Sequence, residues 1–196
     1  MNWLENLLIV AGIGLDIFAE FEIQGAMLAQ IKKKTLVIAC AVVAGLQLIF
    51  YFGGYAICML LATHGYLANP VNYGEVVAVV VFALLGIRLI YKAIKREFVQ
   101  EKLKESLKVW DYIRIIVVSS LYTIAAGCVC GLVGISIGTL IVIILAISII
   151  MVVGGLYTGL HFGFENKTIA YVAGAILLWG VGVEILLVKI LGIIQF

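Results

Sequence analysis

The chain has 196 residues, of which 65% are hydrophobic, and its formal net charge is only +2. Soluble domains are roughly 45–50% apolar, so the composition predicts an integral membrane protein with no separate soluble domain. The net charge is small, and the charged residues lie in short clusters between apolar stretches. The sequence therefore has no basic region of the kind that binds nucleic acid.

Six stretches are long and apolar enough to cross a bilayer, because about twenty apolar residues suffice. The first has no basic start and is interrupted by acidic residues, so it is interpreted as a retained helix rather than a signal peptide. The predicted fold is therefore an all-α membrane protein with six transmembrane helices, at residues 3–29, 35–62, 74–94, 112–133, 136–161 and 168–194.

The positive charges predict the orientation of these spans. Lysine and arginine occur in the first, third and fifth connectors and are absent from the second and fourth. Because cytoplasmic loops of membrane proteins are enriched in these residues, we expect both termini outside the cytoplasm. The basic residues in these connectors are Lys32, Lys33, Lys34, Lys95, Arg96, Lys102, Lys104, Lys108 and Lys167.

The chain divides into three parts: a first set of three spans (1–94), a charged segment (95–111) and a second set of three spans (112–196). The charged segment predicts an amphipathic helix on the cytoplasmic side. Three is an odd number, so the second set must run opposite to the first across the membrane. This is the layout of inverted-repeat transporters, whose sites lie near the midplane where the repeats meet.

Three carboxylates, Asp16, Glu20 and Glu22, fall inside the first span. Each costs about 2.5–3.5 kcal/mol at the bilayer centre even on lenient scales, so such groups usually face a protein interior or a hydrated path. Asp16 and Glu20 are four residues apart and share a helix face that Gln24 continues. Glu22 lies about 200° from Glu20, which predicts a subunit interface or the headgroup zone.

Other polar groups at membrane depth could join these acids in one core. Carboxylate, amide and hydroxyl oxygens suit Mn²⁺, Mg²⁺ or Ca²⁺ better than Cu⁺ or Zn²⁺. The alternative is structural, with the carboxylates pairing with Arg88 or with one another to lock the bundle. The predicted metal ligands are Asp16, Glu20, Gln47, Tyr122 and Glu184, and the predicted path or gating residues are Ser120, Arg88, Gln24 and Glu22.

Glycines at four-residue spacing on the fifth span, Gly155, Gly159 and Gly163, predict close approach of a neighbouring helix. That helix could belong to the same chain or to a second copy in a homodimer. The four cysteines lie within or near spans and are interpreted as small packing residues. Cys128 and Cys130 point about 200° apart on a helix, which disfavours a shared soft-metal site.

Several short motifs, taken together and in order, resemble the manganese efflux pump family (MntP type) of the LysE-like transporter group. They are Gly12-x-Gly14-Leu15-Asp16-x-Phe18-Ala19 with Gly25-Ala26, Gly86-x-Arg88-Leu89-Ile90, Ser119-Ser120-Leu121 and Gly180-x-Gly182-Val183-x-Ile185-Leu186. The resemblance implies a small inner-membrane exporter of Mn²⁺ built from two inverted repeats. It also implies an aspartate in each repeat and an acid in the second span.

The chain departs from that implied pattern. Asp16 retains the first aspartate, whereas Tyr122 and Gln47 stand at the positions of the other two acids. Lys92 occupies the acidic position that follows the Gly-x-Arg motif, and new acids occur at Glu20, Glu22 and Glu184. We therefore expect a site moved toward the first and last helices, or a different cargo.

The leading functional hypothesis is a secondary exporter of a divalent cation, Mn²⁺ first, through a midplane carboxylate site. The alternatives are an exporter of another small solute and a non-transporting membrane subunit of a larger complex. No nucleophile–base pair or hydrolase motif points to an enzyme. We expect no permanently bound cofactor, with the lipid bilayer as the main partner.

Overall fold

The computed structural model describes residues 3–64, 70–95, 110, 113, 117, 123–131, 137–163 and 165–190. These residues form an all-helical bundle. Its helices are α1 (Trp3–Ala26), α2 (Lys33–Thr63), α3 (Pro70–Ile94), α5 (Ile137–Phe162) and α6 (Lys167–Glu184), and α6 continues into a π-helical turn at Ile185–Ile190. The helical residues 123–131, within the predicted fourth span, are called α4.

Four stretches of the described helices are long and apolar enough to cross a membrane: Lys33–Leu61, Tyr73–Ile94, Leu140–Phe162 and Lys167–Val188. They fall within or overlap the second, third, fifth and sixth predicted spans. α1 has 24 residues, but every 18-residue stretch of it contains at least three acidic residues. Length and apolar composition together confirm a multi-pass membrane protein.

The helix ends follow local chemistry. α3 begins at Pro70, where a fixed φ and a missing N–H are tolerated. The predicted third span, 74–94, lies within this helix and agrees with its apolar stretch Tyr73–Ile94. α5 ends at Phe162, and Gly163 follows in a left-handed conformation with φ of 71°. The amide of Gly163 donates a hydrogen bond to the Gly159 carbonyl at 3.0 Å, which closes the last turn.

α1 is the innermost described helix. It packs on both α5 and α6, while α2 packs on α5 and α3 packs on α6. Apart from Leu4, every side chain described on α1 is buried or half-buried. The outer helices instead expose large apolar residues such as Ile49, Leu84 and Ile150. The carboxylates of α1 are thus shielded from lipid by its neighbours.

Glycine allows α1 and α5 to touch backbone to backbone. A Cβ added at Gly159 would lie 2.0 Å from the Glu22 carbonyl oxygen, and one at Gly155 would lie 2.5 Å from the Phe18 carbonyl oxygen. Gly25 makes the reciprocal contact, with a Cβ position 2.4 Å from the Leu156 carbonyl oxygen. No side chain larger than hydrogen fits at these points.

The close approach predicted for the fifth span therefore occurs within the chain, against α1. Gly163 does not take part in it, because nothing lies within 4 Å of its Cβ position and it serves instead to end α5. Association of two copies stays a prediction, and the Gly155–Gly159 face is already covered by α1.

α2 and α4 make a second contact of the same kind. Cβ positions at Gly127 and Gly131 would lie 2.1 and 2.6 Å from the carbonyl oxygens of Tyr51 and Tyr55. Gly54 reciprocates, with a Cβ position 2.2 Å from the Ile124 carbonyl oxygen.

Residues 96–109 of the predicted charged linker lie outside the described residues.

Substitution of Gly159 by alanine tests the α1–α5 contact. We expect Gly159→Ala to lower the free energy of unfolding by about 1–3 kcal/mol, because the new methyl group must push the two backbones apart. Gly45→Ala is the matched control on α2, where nothing lies within 4 Å of the Cβ position. It should be neutral or stabilising by up to about 1 kcal/mol. Thermal unfolding in detergent measures both, and equal midpoints would contradict the contact.

Candidate cation site on the innermost helix

Two of the three α1 carboxylates face one place in the bundle. Asp16 is fully buried, at 0% exposure, and the Glu20 side chain is 22% exposed. Their separation of four residues puts them on one face, one helical turn apart. Because α1 is enclosed by its neighbours, this face points into protein rather than lipid.

The Lys92 ammonium lies between the two carboxylates. Lys92 Nζ is 2.7 Å from Asp16 Oδ1 and 3.0 Å from Glu20 Oε1, and it donates a hydrogen bond to each. Lys92 belongs to the last turn of α3, which does not pack broadly on α1. The long side chain therefore brings the ammonium to a helix that its own backbone does not closely approach.

Tyr171 of α6 completes the cluster. Its hydroxyl donates a hydrogen bond to Glu20 Oε1 at 3.2 Å, and Lys92 Nζ lies 5.5 Å from the centre of its ring. This distance is within the range of a cation–π contact. The tyrosine is buried, at 4% exposure. Its ring and hydroxyl thus contact the cation and one of the anions together.

The Lys92 ammonium contacts both carboxylates. Buried charges are tolerated only where partners offset their lost hydration. Two carboxylates on one helix face are also oxygen ligands of the kind that divalent cations take. The arrangement is thus compatible with cation binding as well as with a structural lock.

Access to the cluster comes from the Glu20 and Lys92 side. The Lys92 side chain is 18% exposed, in contrast to the fully buried Asp16. A small cavity of about 10 Å³ lies beside it, lined by Ile23, Lys92, Lys167 and Tyr171. This volume is close to that needed by one water molecule. Glu20 is therefore the outer carboxylate and Asp16 the inner one.

Glu22 points away from this cluster, as its spacing predicts, but not to a subunit interface or to the headgroups. It is fully buried inside the chain, and its Oε1 accepts a hydrogen bond from the backbone N–H of Asn166 at 2.9 Å. Asn166 immediately precedes α6, where exposed amides and the helix dipole favour negative charge. Glu22 thus anchors the start of α6 onto α1.

Gln47 forms a separate buried contact. It is 3% exposed, and its side-chain oxygen accepts a hydrogen bond from the hydroxyl of Ser148, which is 1% exposed. This contact joins α2 to α5, whereas the Asp16–Glu20–Lys92 cluster joins α1 to α3.

The remaining predicted site residues lie in several places. Glu184 is exposed at the end of α6, and Arg88 and Gln24 are half-buried. The buried Oε1 of Gln24 has no hydrogen-bond partner among the described residues. Tyr122 and Ser120 lie outside the described residues. The structure thus brings together Asp16 and Glu20 but leaves Glu184 apart from them.

Lys92 and Tyr171 are the cluster members that the sequence did not indicate. Lys92 stands at the implied acidic position after the Gly-x-Arg motif but is not among the predicted site residues, although it lies one turn after Arg88 on the same face of α3. A basic pair at this spacing, matching the Asp16–Glu20 spacing, is the signal that could have found it. Tyr171 had no comparable signal, because one tyrosine within an apolar span usually reports packing.

A multi-pass helical bundle with a buried ion cluster defines a class, that of membrane transport proteins. A family model described as "Putative manganese efflux pump" matches residues 30–186. The chain therefore belongs to this family of efflux transporters and is not an enzyme. The matched range begins after α1, so the helix that holds the carboxylates precedes it.

Curated relatives agree with the family match. The proteins named "Putative manganese efflux pump MntP" of Clostridium perfringens strain 13 and strain SM101 are each 26% identical to the chain over 211 residues. The alignments cover 95% of this chain and 95% of each relative. No solved structure matches the chain significantly.

A double-mutant cycle tests the ion pair at Asp16 and Lys92. Lys92→Gln alone should lower the free energy of unfolding by about 3–5 kcal/mol in metal-free buffer, because it removes the buried ammonium that both carboxylates contact. Adding Asp16→Asn should recover part of that loss, giving a coupling energy of about 1–3 kcal/mol. Lys95→Gln, three residues away on the exposed surface, should combine additively with Asp16→Asn. Additivity for the Lys92 pair would contradict the contact.

Proposed function

We propose that the protein exports a divalent metal cation, Mn²⁺ first, and that Asp16 and Glu20 bind it. The observation behind this proposal is that two carboxylates on the innermost helix converge on one cation, the Lys92 ammonium, within 3.0 Å. Carboxylate oxygens suit Mn²⁺. The family match and the names of the C. perfringens relatives support manganese as the cargo.

The depth of Asp16 supports a site near the midplane. Asp16 is ten residues from the end of α1 at Ala26, which corresponds to about 15 Å along a helix. The hydrocarbon core is about 30 Å thick, so Asp16 falls near its centre. Glu20 lies one turn closer to the Lys167 end of the bundle.

The proposed orientation has both termini outside the cytoplasm, in the inner membrane of the cell. Lys33 at the start of α2, Lys95 after α3 and Lys167 at the start of α6 follow α1, α3 and α5 respectively. These are the odd connectors, so the excess of lysine there supports a cytoplasmic location. The cavity beside Lys92 and Lys167 would then open toward the cytoplasm, the side from which an exporter loads.

The paired glycine contacts support two inverted repeats. α1 packs on α5 through Gly25, and α4 packs on α2 through Gly131. The same number of residues separates Gly25 from Gly131 as separates Asp16 from Tyr122. A two-fold relation between residues 1–94 and 112–196 would exchange α1 with α4 and α2 with α5, and so would convert one contact into the other.

A second candidate cargo is an organic cation with a primary ammonium group. The specific observation is that the site already holds such a group, with Tyr171 beneath it. Aromatic rings that face a cation are typical of ammonium recognition. Transport of an amine by the wild-type protein, with no transport of Mn²⁺, would favour this candidate.

Neutralising Asp16 tests the proposed export. In a strain lacking its own manganese exporter, the wild-type protein should restore growth at high Mn²⁺ and lower the cellular manganese content. Asp16→Asn should reduce Mn²⁺ efflux at least about tenfold, because one charged ligand is lost from a buried site.

The matched control is Glu165→Gln, which removes an exposed carboxylate between α5 and α6 and should leave efflux unchanged. Glu184→Gln should behave like this control, because Glu184 is exposed. Equal efflux by wild-type protein and Asp16→Asn would exclude the site. Absence of any flux in proteoliposomes would instead favour a non-transporting subunit.

A further inference from the structure

Lys92 Nζ occupies the place that a cation shared by Asp16 and Glu20 would take. It contacts Asp16 Oδ1 at 2.7 Å and Glu20 Oε1 at 3.0 Å. A metal ion bridging these two oxygens would need the same space. The ammonium and the ion would also repel each other strongly in a site from which water is largely excluded.

The charges favour exchange over joint occupancy. Joint occupancy would place a divalent cation beside the ammonium that already contacts both carboxylates. Exchange leaves one cation, rather than two, at the carboxylate pair. A mostly buried site favours exchange because two neighbouring positive charges repel each other strongly there.

Lys92 is built to make such a movement. Its charge is at the end of a flexible four-carbon chain, and its side chain is partly exposed. The cavity that it lines together with Lys167 has a volume of about 10 Å³, close to that needed by one water molecule. Asp16 has no comparable freedom, because it is fully buried on the innermost helix.

From these observations we propose that Lys92 is a tethered competitor of the transported cation. Its ammonium occupies the Asp16–Glu20 pair when the site has no cargo, and the entering divalent cation displaces it. The lysine thereby sets the affinity of the site and compensates the carboxylates while the transporter returns empty. This inference rests on the proposed export function and adds a specificity-determining residue to it.

Equilibrium binding of Mn²⁺ to the purified full-length protein tests this role. Free Mn²⁺ can be followed by electron paramagnetic resonance during titration of wild-type, Lys92→Gln, Lys95→Gln and Asp16→Asn proteins in detergent. The Lys92→Gln protein lacks the competing charge, so it should bind Mn²⁺ at least about tenfold more tightly than wild type does. Lys95→Gln removes an exposed lysine near the same helix end and should bind like wild type.

Each other outcome contradicts a distinct statement. Equal or weaker binding by Lys92→Gln, with clear binding by wild type that Asp16→Asn abolishes, would overturn the competitor role and leave the site intact. Binding by wild type that survives Asp16→Asn would overturn the site itself. Absence of Mn²⁺ binding by every variant would overturn both the function and the competitor role.

A second measurement needs no variant at position 92. Acetylation of lysines by an amine-reactive ester, quantified by mass spectrometry, reports how accessible each ammonium is. Mn²⁺ should increase the labelling rate of Lys92 several-fold and leave that of Lys95 unchanged. Unchanged labelling of Lys92 at a saturating Mn²⁺ concentration would overturn the displacement even if Lys92→Gln failed to fold.

Discussion

A lysine ammonium held between two carboxylates at membrane depth is the interaction on which the interior of this bundle depends. Asp16 has no exposed surface, and an ionised carboxylate in that position is tolerated only with a cation beside it. Lys92 supplies that cation from α3 and Tyr171 supports it from α6. Three helices that are distant in sequence are thereby tied together at one point.

Glycine packing makes this arrangement possible. Because Gly25, Gly155 and Gly159 let the backbones of α1 and α5 touch, α1 can lie inside the bundle with its polar face away from lipid. The Glu22 carboxylate secures another side of α1, because it accepts a hydrogen bond from the backbone amide of Asn166 at the start of α6. A helix too acidic for the lipid-facing surface is thus stabilised among its neighbours, with its acids facing other described helices.

Four long helices could be predicted from the sequence by their length and apolar composition, whereas α1 had to be recognised as a span despite its acidic residues. The Asp16–Glu20 face followed from helical spacing, and so did the divergence of Glu22. The partner of the acids could not be predicted in the same way. Lys92 lies at a span end, where lysines usually reach toward water, and only the packing of α3 and α6 shows that it reaches inward. Gly163 continued a four-residue repeat, yet its backbone conformation serves to end α5.

The most direct test is to locate the ion. Crystals of the full-length protein grown with Mn²⁺ can be measured at the manganese absorption edge, where anomalous scattering identifies the metal. We expect a manganese peak in contact with the carboxylates of Asp16 and Glu20, with the Lys92 ammonium moved away from both. A manganese peak elsewhere, with Lys92 still bridging the two carboxylates, would contradict it.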